Sequence, residues 1–227
     1  MQLVIDTSTD MASIALVEGD AVLAESIWLC EQSHSQELLP HLVQLLEQAG
    51  LSLQSADCII VARGPGGFNG LRVGISTAKG LTFSLDIPII GVSNLEVAAY
   101  QHADSGLPVC AVLQAGRREV ATAMYQKKDG KWSQLITEHI TTVDELCLRI
   151  SSETIFCGEY APAITERLRE KLGQKAIVPS PATSSQRLAL LSRLGRLRAS
   201  AGDYDDPVTL QPLYLRRPQI TEPKHRH

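Results

Sequence analysis

Hydrophobic positions in the first part of the chain come in short runs broken by small polar turns, the pattern of strands. Residues 2–5 are one such run, followed by Asp6-Thr7-Ser8-Thr9-Asp10, a turn of residues that hydrogen-bond their own backbone. Residues 13–17 and 21–29 predict two more strands around Glu18-Gly19-Asp20. The period then changes. Leu38, Leu39, Leu42, Val43, Leu45, Leu46 and Ala49 fall on an arc of roughly 160° of a helix over 36–49. Gly50 is placed to stop it, and Ser33 and Gln36 have the spacing of a capping box at its start. Residues 58–62 are a continuous apolar run, as expected of a strand covered on both faces. A helix over 69–85, a strand over 88–92 and a helix over 95–102 complete the order βββαβαβα.

After Asp104-Ser105-Gly106 that order repeats, although no motif is copied. Strands are predicted over 108–113, 120–125 and 132–138, a helix over 143–150, a strand over 154–157, a helix over 161–172 and a strand over 176–178. A last helix over 184–199 is capped by Thr183 or Ser184, and 203–217 reads as extended chain on the surface. The expectation is two α/β domains, 1–103 and 107–217, each a mixed five-stranded sheet with flanking helices. Residues 218–227 form a polar tail.

Between the strand over 58–62 and the helix that follows lies Gly64-Pro65-Gly66-Gly67-Phe68-Asn69-Gly70-Leu71-Arg72-Val73-Gly74. A phosphate-cradling loop would need Gly-Lys-Ser or Gly-Lys-Thr where Asn69-Gly70-Leu71 stands, and a dinucleotide loop an acid at the end of the next strand. Asp86 comes too early for that. Gly64, Pro65, Gly66 and Gly67 therefore read as a structural turn. Gly70, Gly74, Ala78 and Thr82 lie four apart and give the helix a nearly bare face that suits close helix packing, against a partner or against the chain's own first helix. On the first reading, Gly74→Leu should block a partner and leave the chain folded.

A chain of 227 residues, 44% hydrophobic, is long enough to bury two cores. The net charge of −4, without a long basic run before the tail, argues against direct binding of tRNA or DNA backbone. Five widely spaced cysteines, mostly in apolar patterns, read as reduced buried thiols. The N-terminus lacks a signal-peptide pattern and no apolar run approaches a membrane span, so a cytoplasmic protein is expected.

Two βββαβαβα units, the first opening on an acidic Thr/Ser hairpin, resemble the actin/Hsp70/sugar-kinase (ASKHA) superfamily, with its tandem ribonuclease H-like domains. More narrowly, Ile5-Asp6-Thr7-Ser8, His34-Ser35-Gln36-Glu37-Leu38-Leu39-Pro40, the glycine-rich run and Pro212-Leu213-Tyr214-Leu215-Arg216 resemble the TsaB (YeaZ) family. The resemblance implies a non-catalytic subunit of the bacterial machinery that makes N6-threonylcarbamoyladenosine at position 37 of tRNAs reading codons that begin with A. Its implied partners are a TsaD-like catalytic paralogue, a TsaE-like ATPase and a second copy of itself, with tRNA met only through the complex. The implied contact surface is the pair of helices over 36–49 and 69–85, with Leu38, Leu39, Leu42, Leu45, Leu46, Gly70, Gly74, Ala78 and Thr82 as its residues. Self-association and TsaD binding would then exclude one another.

Tested for enzyme chemistry, the residues offer little. Asp6, Thr7 and Ser8 look like a degenerate phosphate loop, because the matching turn of the second half is Gln114-Ala115-Gly116-Arg117-Arg118, without the carboxylate that magnesium prefers. His34 and His41 are seven apart, about 10 Å along a helix, too far to share one ion. Ser8, Ser13, Ser35 and Ser93 lack a nucleophile elbow. No catalytic residue, metal or cofactor is expected. The competing readings are an ATP-dependent kinase or ATPase with an atypical second loop, and a self-associating structural protein. Tyr214, Leu215, Arg216 and Arg217 read as anchors of the returning C-terminal segment.

Overall fold

Leu3, Val4 and Ile5 are all fully buried, which requires that strand to be covered on both faces. The computed structural model, which describes residues 1–30 and 33–216, shows why. In chain order the first half comprises β1 (Gln2–Asp6), β2 (Met11–Glu18), β3 (Ala21–Leu29), α1 (His34–Ala49), β4 (Cys58–Gly64), α2 (Phe68–Leu85), β5 (Ile89–Ser93) and α3 (Asn94–Tyr100). The second half comprises β6 (Val109–Gln114), β7 (Glu119–Lys128), β8 (Lys131–Thr142), α4 (Val143–Leu148), β9 (Thr154–Cys157), α5 (Thr165–Leu172), β10 (Ala176–Ile177) and α6 (Ser184–Ser200). Two mixed five-stranded sheets result, ordered β3-β2-β1-β4-β5 and β8-β7-β6-β9-β10. In each, the first three strands form an antiparallel meander and the last two run parallel to the first. Predicted and observed elements agree in type and order. Arg217 and the expected tail 218–227 lie outside the described residues.

The pleat sorts each strand's side chains between two layers. In the first sheet Leu3, Ile5, Ile59, Val61 and Ile89 pack with Leu38, Leu42 and Leu45 of α1 and Ile75 and Ala78 of α2. The opposite face, Val4, Ile60, Ala62, Ile90 and Val92, is covered by Leu188, Leu191 and Leu194 of α6, from the far end of the chain. A Cβ at Gly195 would sit 2.5 Å from Ile60, so only glycine lets α6 come this close. The second sheet is built the same way. Cys110, Val112 and Phe156 face α4 and α5, while Val109, Ala111 and Ile155 face Leu95, Ala98 and Ala99 of α3. The last helix of each half thus lies on the other half's sheet. Residues 203–216 then return along the first sheet, with Asp205 N–H donating to the Ile89 carbonyl, Leu210 entering the core and Leu213 N–H donating to the Arg63 carbonyl.

Local differences have simple causes. Helix α1 starts at His34, two residues before the predicted range, and Ser33 at its N-cap pairs its hydroxyl with that of Ser35 (3.0 Å) and makes no side-chain cap. Full capping boxes occur instead at Thr142/Glu145 and Thr183/Gln186. Gly50 closes α1 in the left-handed conformation, as its position foretold. The helix predicted over 161–172 opens with a separate 3₁₀ turn at Pro162–Ile164 before α5 begins. Cys58, Cys110, Cys147 and Cys157 are buried. Burial raises the thiols of Cys58 and Cys110 to about 12, which leaves them protonated and unreactive.

Candidate functional site

The β1–β2 turn is buried, with Asp6, Thr7 and Ser8 each no more than 4% exposed. Both carboxylate oxygens of Asp6 are committed within the chain. Its Oδ1 accepts from the Ser8 N–H (3.0 Å) and the Ser8 hydroxyl (2.5 Å), and its Oδ2 accepts from Arg187 Nη2 (3.0 Å). Arg187 comes from the opening of α6, where the Thr183/Gln186 capping box fixes the helix start. Its guanidinium also reaches Ser8 Oγ (3.4 Å) and, across the molecule, Glu159 Oε1 (3.5 Å). Burial raises the Asp6 carboxyl, but Arg187 and the Ser8 hydrogen bonds outweigh it and hold the group below the ordinary aspartate range.

The glycine-rich turn and α2 dock on the outside of this turn. Gly67 N–H donates to the Ser8 carbonyl (2.7 Å), and a Cβ on Gly66 would meet that same oxygen at 2.5 Å. Thr7 Oγ1 donates to the Gly70 carbonyl (2.8 Å). A Cβ on Gly70 would lie 2.0 Å from the Thr7 carbonyl oxygen, and one on Gly74 2.2 Å from Thr7 Oγ1. Ala78 and Thr82 continue the same buried line. The small-residue face is therefore turned inward, chiefly on the β1–β2 turn, rather than open to a second molecule. The expectation of a folded Gly74→Leu chain is corrected for the same reason, because no side chain fits there. His34 Nε2 lies 3.0 Å from the Thr9 carbonyl and ties the start of α1 to the turn.

Leu38, Leu42 and Leu45 are likewise core residues beneath the first sheet, and Leu46 is partly buried. What α1 and α2 present outward is a different set: Leu39, Val43 and Phe83 are 48%, 53% and 59% exposed. Between the helices Leu38, Leu39, Arg72, Val73, Ser76 and Thr77 line a shallow groove.

Between the two sheets lies a cleft of about 520 Å³, bounded by Ser8 and Thr9, Pro65 to Phe68, Gln114 and Ala115, Glu159, Arg187 and the returning segment from Leu213 to Arg216. Asn94, 2% exposed, borders it and donates Nδ2–H to the Pro65 carbonyl (3.0 Å). Tyr214 rests on Phe68 with ring centroids 5.3 Å apart, and Arg216 pairs with Glu119. Magnesium-bound nucleotide, which the superfamily resemblance would imply, does not fit these residues. Of the two acids of the first turn, Asp6 is engaged on both oxygens and already balanced by a guanidinium and Asp10 is exposed at the cleft's rim, while the facing turn carries Arg117 and Arg118. Among the described residues no group of three or more His, Cys, Asp or Glu could hold a metal ion. Among those residues, too, no helix is long and apolar enough to cross a membrane.

A protein-family model described as TsaD, tRNA N6-adenosine threonylcarbamoyltransferase, matches residues 28–220. The tRNA threonylcarbamoyladenosine biosynthesis protein TsaB of Bacillus subtilis (strain 168) is 34% identical over 219 residues, covering 94% of this chain and 93% of that protein. The chain belongs to this family, in its TsaB (YeaZ) branch. The Escherichia coli (strain K12) TsaB is 35% identical over 162 residues, 69% of this chain and 70% of that protein. The solved structure of YeaZ from Pseudomonas aeruginosa superposes with a TM-score of 0.76 at 26% identity, covering 94% of this chain and 99% of that one. The TsaB branch thereby fixes the actin/Hsp70-like architecture seen here.

Within that TsaB architecture, Arg187 and Asn94 are the site residues that sequence reading did not single out. Nothing local marks Arg187: it stands beside an ordinary leucine stripe, and its partner Asp6 is 181 positions away. The one usable signal was the Thr183-x-x-Gln186 box, which fixes where α6 begins but not what it faces.

Proposed function

We propose that this chain is a non-catalytic scaffold and activating subunit in the formation of N6-threonylcarbamoyladenosine at position 37 of tRNAs reading A-starting codons. It binds and supports a TsaD-like catalytic subunit, works beside a TsaE-like ATPase, and meets tRNA only through that complex. Relatives named as threonylcarbamoyladenosine biosynthesis proteins, one of them matched over 94% of the chain, support the process. The observation that carries the non-catalytic reading is the Asp6–Arg187 pair, since an acid neutralised from within the chain is poorly suited to organise a metal and transferring phosphates.

For the partner surface, the support is the outward side of α1 and α2. Leu39, Val43 and Phe83 place large apolar side chains in water next to a groove. A TsaD-like subunit covers that surface, and a second copy of the chain covers it when TsaD is absent. The decisive experiment reconstitutes modification from the catalytic subunit, the ATPase, an adenylate source, ATP and tRNA, with and without this chain. Multiple-turnover modification should require it, while the purified chain alone turns over no ATP. Unchanged modification on omission overturns the proposal.

A further inference from the structure

Arg187 touches both halves of the molecule. Asp6 and Ser8 belong to the turn after the first strand of the first sheet, whereas Glu159 follows β9 of the second sheet. The guanidinium lies between them with its side chain 12% exposed, held by a capped helix that packs on the first sheet through Leu188, Leu191 and Leu194. The two arms differ. Asp6 is 5% exposed, so that arm is shielded from salt, while Glu159 is 55% exposed and its arm is screened.

We propose that Arg187 is an internal counter-ion that locks the cleft: its guanidinium takes the place a bound cation and its anionic ligand would need, and fixes the two halves at one opening. A cleft that opens and closes around a ligand needs lips that separate, and here one side chain is hydrogen-bonded to one lip and ion-paired with the other. Arg216 on Glu119 and Tyr214 on Phe68 close the cleft elsewhere, so the Arg187 contact is one of several ties and the one at the phosphate-loop position. The lock acts in the purified chain alone, independently of any role in tRNA modification.

Hydrogen–deuterium exchange of the full chain, followed by mass spectrometry, reads the lock at the two lips, residues 6–10 and 158–161. Arg187→Ala should raise exchange about tenfold or more at both lips, because one change releases both arms. Millimolar guanidinium chloride, well below denaturing concentration, should restore protection to Arg187→Ala by filling the vacated position between Asp6 and Glu159. Ethylammonium chloride at the same concentration should not, since it lacks the planar fork of donors. Glu159→Gln, which leaves the Asp6 arm intact, should loosen 158–161 alone, and molar salt should do the same to the native chain. Wild-type protection at both lips of Arg187→Ala, or equal rescue by the two cations, would overturn the lock. If Arg187→Ala does not fold, unchanged exchange at 158–161 in Glu159→Gln overturns it instead.

Discussion

Arg187 Nη2 stands 3.0 Å from Asp6 Oδ2, joining the first turn of the chain to its last helix. Because the folded Asp6 carboxyl is held below its ordinary range, its contribution to stability is complete above the unfolded-state value and is lost as pH falls through the folded one. Asp6→Asn leaves a buried guanidinium without its buried counter-charge and is expected to cost about 3–5 kcal/mol at neutral pH. It should also flatten the acid limb of the stability curve. Urea unfolding at neutral pH and near pH 3 measures both effects, and parallel acid limbs in mutant and native chain would remove Asp6 from the account.

Two glycines of one helix should respond in opposite directions. Gly74→Ala forces a methyl group to 2.2 Å from Thr7 Oγ1, and overpacking of this kind costs about 1–3 kcal/mol. Gly80, in the same helix, has nothing within 4 Å of its missing Cβ, so Gly80→Ala should gain the helix propensity difference, roughly 0.5–1 kcal/mol. Denaturant midpoints of the two variants decide the matter, and a neutral Gly74→Ala would mean that the turn can retreat.

Glu96 of α3 accepts a hydrogen bond from Trp132 Nε1 (3.2 Å) in the second sheet. Burial raises its carboxyl, and repulsion from Glu138 adds to that against the pull of Trp132, Arg198 and Arg63. A carboxyl raised in this way stabilises the fold fully below its unfolded-state value and less as pH rises through the folded one. Glu96→Gln keeps the acceptor and drops the charge. It should be more stable than the native chain at pH 7, with the gain vanishing near pH 4. A loss at pH 7 would show that the charge is needed.

On the outer helix surface, Leu39→Asp and Val43→Asp should abolish binding of a TsaD-like subunit and self-association together, with the circular dichroism spectrum and melting temperature little changed, because both side chains already face water. Titration calorimetry and light scattering provide the readouts. Loss of one association without the other would assign them to separate surfaces.

Strand and helix periodicity, with Gly50 as a stop, was enough to place the elements and their repeated order. The partners of those elements were not legible. Four-residue spacing of Gly70 and Gly74 announces a close approach without naming what approaches, and the answer is Thr7. Likewise the Leu188, Leu191, Leu194 stripe fits either sheet, and its placement on the first depends on Gly195 clearing Ile60, a three-dimensional fact. Ser33 and Gln36 had the letters of a capping box, yet a neighbouring hydroxyl, Ser35, took the bond. Charge pairing across 181 positions leaves no local trace at all.

The exchange of α3 and α6 between the sheets also governs how the molecule comes into being. During synthesis the first sheet emerges early, but the layer over Val4, Ile60 and Ile90 arrives only with residues 188–194, and Leu210 later still. Until then one apolar face of that sheet stays uncovered. The nascent first half is therefore an exposed intermediate that cannot finish folding on its own, and the ribosome must release nearly the whole chain before that half is complete.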